Sequence, residues 1–286
     1  MSWQKIDQVK IKKIINDALD EDLSGLGDVT SNLTIPENKK IKFQIVTREK
    51  LVLCGVDVVM MVFNEVSRRF NNGNELKIKR YFIDGKILPK NSIIISGLWN
   101  ARLVFVAERV ALNLIQHLSG IASETRKYVD LVANKKTKIL DTRKTIPNLR
   151  ILQKYAVKVG GGQNHRMGLY DAVLIKDNHI AAAGGVENAV ILARKAKMVI
   201  EIECDNLAQV AEAINAKADI IMLDNMSLMQ IKKAAKLIGN KAKIEVSGGI
   251  NLKKIKAISK TGVDYISVGA LTHSVKAVDI GLDIIS

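Results

Sequence analysis

The chain is 286 residues long, 48% apolar and 26% charged, with a formal net charge of +15. That balance excludes a disordered, collagenous or disulfide-scaffolded chain, and at this length one large core or two smaller ones need no staple. The charge predicts an anionic partner or substrate, whether nucleic acid, a membrane surface or a phosphorylated small molecule; with only 4% aromatic residues, material for base stacking is scarce.

The chain opens with a helical pattern over residues 5–19, followed by extended segments at 41–48, 75–81 and 92–98. Turn signals stand at Asn71-Asn72-Gly73-Asn74 and Asp84-Gly85, and residues 56–70 read as a helix with an apolar face. This part is α+β. From residue 101 to about 132, Leu103, Val106, Val110, Leu114, Ile115, Leu118 and Ile121 recur at helical spacing, predicting a central helix broken near Ser119-Gly120.

The remainder repeats one pattern. Short β-rich apolar runs at 138–140, 172–175, 198–202, 218–223, 243–246 and 265–268 start 34, 26, 20, 25 and 22 residues apart, the spacing of β/α units. Strands apolar on both faces imply a parallel sheet covered on both sides. The runs stop at Asp141, Lys176, Glu203, Asp224, Ser247 and Gly269. In a barrel these positions converge on one mouth, whereas in an open sheet they spread along a line. A barrel of about six strands is favoured.

No apolar run reaches the roughly 18 residues of a membrane span; residues 51–63 are too few and carry Asp57. The N-terminal residues lack the apolar core and cleavage site of a secretory signal, so a cytoplasmic location is expected. Cys54 and Cys204 form no C-x-x-C and are read as reduced, buried residues. Lysines such as Lys12, Lys232, Lys236 and Lys253 are expected on solvated helix faces.

Four segments break the local rules. Asp141-Thr-Arg-Lys-Thr145 puts two adjacent cations after a strand: Arg143 has the planar fork for a carboxylate and Lys144 the point charge for a phosphate. Gly160-Gly-Gly162-Gln-Asn-His165-Arg166 exposes backbone N–H groups next to an imidazole and a guanidinium. Lys176 emerges from an apolar strand and must be paired or face an anion, while Asn178 and His179 either join it or merely shape the turn. Glu203 and Asp224, on successive strand ends, suit ribose hydroxyls or a hard metal such as magnesium. Small residues at Ser247-Gly248-Gly249 and Gly269-Ala270, with His273 following, allow backbone amides to approach a phosphate. The P-loop, dinucleotide-binding, zincin and nucleophile-elbow motifs are missing from the sequence.

In this order the blocks EDxSGxGDVT (from Glu21), ERVALN (from Glu108), DTRKT, GGGQNHR, LIKDNH, MLDN, EVSGGI and GALTH resemble the quinolinate phosphoribosyltransferases, the carboxylating nicotinate-nucleotide pyrophosphorylases, over nearly the whole chain. Departures are few: Ile146 and Asn148 replace the usual Thr and Gly, and Lys217 stands where Gly is usual. The resemblance implies an α/β fold, an incomplete (β/α) barrel of about six parallel strands with an N-terminal α+β sandwich. The sandwich would span residues 1–112, completed by 274–286, and the barrel residues 113–273.

It also implies a homodimer, with a higher assembly of dimers left open, in which Arg109 reaches the partner's site, while Arg143, His165, Arg166 and Lys176 surround quinolinate. Lys144, Glu203, Asp224, Ser247, Gly248, Gly249, Gly269, Ala270 and His273 would hold phosphoribosyl pyrophosphate with Mg2+, Glu203 and Asp224 being the carboxylates nearest the metal. Lys144, Lys176, Glu203 and Asp224 are the expected catalytic residues, and neither nucleic acid nor membrane is an expected partner. The alternatives are a nicotinate-type or molybdenum-transport-associated relative on the same scaffold, and a basic nucleic-acid-binding protein on a degenerate barrel.

Overall fold

The computed structural model describes residues 3, 6–70, 75–134 and 136–285, so the turn expected at residues 71–74 lies outside the described residues. The chain divides into two compact units, residues 1–124 with 146–160 and 274–286, and residues 125–145 with 161–273.

In the first unit, helix α1 (Gln8–Leu23) starts at Asp7, whose carboxylate accepts the Val9 and Lys10 N–H groups, and Ile11, Ile15 and Leu19 form its buried stripe. A short helix α2 (Val29–Thr34), capped by Asp28, follows. Strands β1 (Lys40–Thr47) and β2 (Leu51–Val52) precede α3 (Val56–Phe70), which occupies the expected residues. Asp57 in its first turn and Arg68 and Arg69 in its last complement the helix dipole. The Asp84 carboxylate accepts the Gly55 and Val56 N–H groups at its start, 2.8 and 3.0 Å away.

Strands β3 (Lys77–Arg80), β4 (Ile87–Leu88) and β5 (Ile93–Asn100) come next. Helix α4 (Ala101–Asp130) is continuous, so the break expected at Ser119-Gly120 does not occur. Packing explains both residues: a Cβ at Gly120 would run into the Lys276 carbonyl, and the Ser119 hydroxyl donates to the Cys54 carbonyl and accepts its N–H. Helix α5 (Arg150–Val159) and the final strand β12 (Ile280–Ile285) also belong to this unit. Its main sheet has the order β12-β1-β5-β3, all antiparallel, with Thr47 opposite Ile280 and Lys42 opposite Ile285.

The second unit carries the repeat. Strands β6 (Lys138–Leu140), β7 (Val173–Ile175), β8 (Ile200–Cys204), β9 (Ile220–Asp224), β10 (Lys243–Ser247) and β11 (Tyr265–Ser267) form a parallel sheet in the order β6-β11-β10-β9-β8-β7. The first strand lies beside the last, as curling requires, and among the described residues the other edge of β6 pairs with the glycine loop through one isolated bridge, Leu140 to Gln163, rather than with β7. This is an incomplete barrel.

Helices α6 (Asp177–Ala183), α7 (Val186–Ala193), α8 (Leu207–Asn215), α9 (Leu228–Ile238), α10 (Leu252–Ser259) and α11 (Ala270–His273) connect the strands. Val190, Val210, Ile231 and Ile255 pack with Ile202, Ile221 and Ile266 in the buried core, and Lys232, Lys236 and Lys253 lie exposed on the opposite helix faces. Cys54 and Cys204 are free and buried. Among the described residues, no helix is long and apolar enough to cross a membrane.

Candidate active site

The C-terminal ends of all six barrel strands open onto one cavity of about 630 Å³ in the second unit. Arg143 and Lys144 after β6, Lys176 after β7, Glu203 on β8, Asp224 on β9, Ser247, Gly248 and Gly249 after β10, and Gly269, Ala270 and His273 after β11 all line it. His165 and Arg166 enter from the glycine loop. Arg109 is exposed on α4, in the first unit, and is not among the lining residues.

Asp141, fully buried at the end of β6, organises the glycine loop. Its carboxylate accepts the Asn164 amide at 2.6 Å and the His165 N–H at 2.9 Å, turning His165 and Arg166 towards the cavity. Arg166 donates to the Ala172 carbonyl at 3.2 Å, but its Nε is buried without a hydrogen-bond acceptor. Burial and the neighbouring Arg143 guanidinium press its pKa downwards, against the opposing pull of Glu201 and Asp171. Two neighbouring guanidiniums, each with a buried Nε that no acceptor reaches, make a site that an anion completes.

The Lys176 ammonium meets the Glu203 carboxylate at 2.5 Å, so the lysine is both paired and at the mouth. His179 does not join it: its Nδ1 accepts the Lys176 N–H at 3.0 Å and caps α6, and neither it nor Asn178 lines the cavity. Among the described residues no carboxylate pairs with Lys144.

Two glycines fix the remaining geometry. Gly248 has φ +88°, and a Cβ on it would run into the Asn225 side chain, whose amide donates to Asp224 at 2.5 Å. A Cβ on Gly269 would press on the His273 ring at 3.2 Å and on Lys144 Cδ at 3.3 Å, so glycine lets these two side chains flank the last strand. The Thr272 hydroxyl donates to the Lys144 carbonyl at 2.8 Å, tying the loop after β6 to α11.

Beneath the mouth lies a layer that the strand-end reading missed. His165 Nε2 is 3.0 Å from Glu201 and 3.5 Å from Glu245, and the Ser267 hydroxyl donates to Glu245. Burial, reinforced by the Glu201 carboxylate, pushes the Glu245 carboxyl upwards. The sequence held a signal for them: Glu201 and Glu245 precede Glu203 and Ser247 by two positions and therefore share their inward face.

Residues 28–119 match the quinolinate phosphoribosyl transferase N-terminal domain, and residues 121–283 match the C-terminal domain. The chain belongs to the quinolinate phosphoribosyl transferase family. A relative from Methanocaldococcus jannaschii, named "Probable nicotinate-nucleotide pyrophosphorylase (carboxylating)", is 44% identical over 96% of each chain. The solved nicotinate-nucleotide pyrophosphorylase of Ehrlichia chaffeensis superposes with a TM-score of 0.91 at 46% identity, covering 100% of this chain and 99% of that one. The Francisella tularensis structure gives 0.91 at 43% identity over 98% of each.

Proposed function

We propose that the chain is a decarboxylating quinolinate phosphoribosyltransferase, converting quinolinate and phosphoribosyl pyrophosphate into nicotinate mononucleotide, pyrophosphate and carbon dioxide in NAD synthesis. Family membership supports the reaction. The observation that carries it to this site is the convergence of Arg143, Lys144, Arg166 and Lys176 on one cavity with Glu203 and Asp224. A pyridine dicarboxylate and a polyphosphorylated sugar repel each other, and a cationic cavity lets them meet.

In this reading Arg143, Arg166 and Lys176 hold the two quinolinate carboxylates beside the sugar, His165 standing within the same pocket. Lys144, His273 and the backbone amides around Ser247, Gly248, Gly249, Gly269 and Ala270 hold the phosphates. The pyridine nitrogen attacks the anomeric carbon as its bond to pyrophosphate breaks. Glu203 and Asp224 stabilise the positive charge that grows on the ribose. The ring nitrogen then carries a positive charge, so the C2–carboxylate bond breaks with its electron pair drawn into the ring. Carbon dioxide leaves and a solvent proton replaces it at C2. Positioning and electrostatics suffice, without a general base for the displacement.

Glu203 and Asp224 are hard oxygen donors, which fits magnesium carried by the pyrophosphate; because Lys176 already occupies one Glu203 oxygen, they would hold the ion through its water shell. Bound there, magnesium supplies charge neutralisation to the departing pyrophosphate. The same reading makes the enzyme a cytoplasmic homodimer in which Arg109 serves the partner's site. The test is a coupled assay with quinolinate, phosphoribosyl pyrophosphate and magnesium, following the nucleotide and carbon dioxide, with nicotinate in parallel. Turnover of quinolinate is expected; turnover of nicotinate alone, or of neither, overturns the reading.

A further inference from the structure

His165, Glu201 and Glu245 place a ring nitrogen and two carboxylate oxygens within 4.8 Å of one another, almost entirely out of solvent. Neither glutamate is needed by the reaction outlined above. Hydrogen-bond direction settles what the cluster holds. The Arg166 main-chain N–H points at His165 Nδ1 from 2.8 Å, and an N–H can only donate. Nδ1 therefore keeps its lone pair, and the ring hydrogen sits on Nε2, aimed at Glu201 Oε2 3.0 Å away. This tautomer has no Nε2 lone pair to give a metal ion, so the cluster is not a metal site in this arrangement.

We propose that Glu201 and Glu245 are positioning residues, an acid pair sharing one proton that locks His165 as its neutral Nε2–H tautomer and thereby fixes the Arg166 main chain beneath the substrate clamp. Two buried carboxylates with oxygens within 4.8 Å of each other disfavour double ionisation, and Glu245, 1% exposed, is the one that burial pushes towards its protonated form. With the proton on Glu245, one of its oxygens is free to donate to Glu201 while Oε1 accepts the Ser267 hydroxyl. Glu201 Oε1, buried and otherwise without a hydrogen-bond partner, is the oxygen available to receive that proton. His165 then contributes orientation to the clamp, and its cations are Arg143, Arg166 and Lys176.

The steady-state arm of the test rests on the proposed reaction; the spectroscopic arm does not. Nitrogen-15 NMR of ring-labelled wild-type protein without substrates, between pH 6 and 8, is expected to show His165 with a bare Nδ1 and a protonated Nε2. Glu245→Gln reproduces the donor and acceptor pattern of a protonated acid and is expected to keep that signature, with kcat/KM for quinolinate within about threefold of wild type. Glu245→Leu and Glu201→Leu are expected to lose the signature and raise the KM for quinolinate about tenfold, with a smaller change in kcat. An imidazolium or an Nδ1–H tautomer in wild type, a Gln variant as damaged as the Leu variant, or a stoichiometric metal ion in purified protein would each overturn the proposal. Failure of quinolinate turnover in wild type would remove the reaction and leave the tautomer measurement to decide this inference.

Discussion

Replacing Lys176 by Met removes a charge while keeping most of the stem's volume, and two effects act together at the mouth. The ammonium no longer meets an incoming carboxylate, and Glu203, only 11% exposed, is left facing that carboxylate without the partner it holds at 2.5 Å. A charge pair at 4 Å and an effective dielectric of 20 is worth about 4 kcal/mol. Lys176 is 46% exposed and already shared with Glu203, so about half survives, or about 2 kcal/mol. That corresponds to a fall of roughly 30-fold in kcat/KM for quinolinate. Glu203→Gln has the opposite sign on binding: it releases Lys176, so the KM for quinolinate falls while kcat drops with the lost ribose stabilisation. Initial rates over a matrix of both substrates separate the two effects. A Lys176→Met enzyme within threefold of wild type, with Arg143→Ala equally unaffected, would refute the electrostatic assignment of the mouth.

Other consequences extend beyond the cavity. Lys217 sits at φ +60°, in the left-handed region, and Lys217→Gly is expected to raise stability by roughly 0.5–1 kcal/mol in chemical denaturation, because glycine relieves the left-handed strain; unchanged or lower stability refutes this. Burial lowers the pKa of His117, whose Nε2 lies 2.9 Å from the Gln153 amide, so the folded state resists protonation. Its contribution is complete above the ordinary value of 6.5 and declines as pH falls below it, by up to about 1.4 kcal/mol per pH unit; His117→Gln should flatten the acid side of the melting curve, and an identical curve would remove His117 as the cause. If Arg109 serves the partner's site, co-expressing the impaired Arg109→Ala and Lys176→Met subunits should lift activity to about a quarter of wild type through mixed dimers, whereas no gain over the separate variants would place Arg109 elsewhere.

The legible parts of the sequence were those in which one physical signal ran for long enough. The amphipathic period of residues 56–70 located α3 to the residue, and the strand-end polar residues located nearly the whole cavity. Boundaries suffered where the signal continued past the element: Met198 and Val199 extend the apolar run but precede β8, which begins at Ile200. The two-residue β2 and β4 are too short to show a period. At Gly120 a local rule misled, because the glycine answers the Lys276 carbonyl, a contact between residues far apart in the chain. The departures at Asn148 and Lys217 left the site's charges untouched, and both residues have a positive φ, which asparagine commonly adopts but which the lysine side chain does not announce. Glu201 and Glu245 were passed over because attention to strand ends stops one residue pair short of the layer beneath.

That inner layer bears on how a cavity can stay cationic while part of it is dry. Arg166 is desolvated and pressed by Arg143, and the nearby Glu201 carboxylate favours its charged form. Were both glutamates ionised, the buried negative charge would compete with a dianionic substrate for the same guanidiniums. Were both neutral, nothing beneath would offset the repulsion between Arg143 and Arg166. One proton on the pair gives the arrangement in which Arg166 keeps its charge and directs it upwards. A carboxylate pair buried beneath the clamp, rather than a single glutamate, therefore suits a site that must bind anions without being neutralised from within.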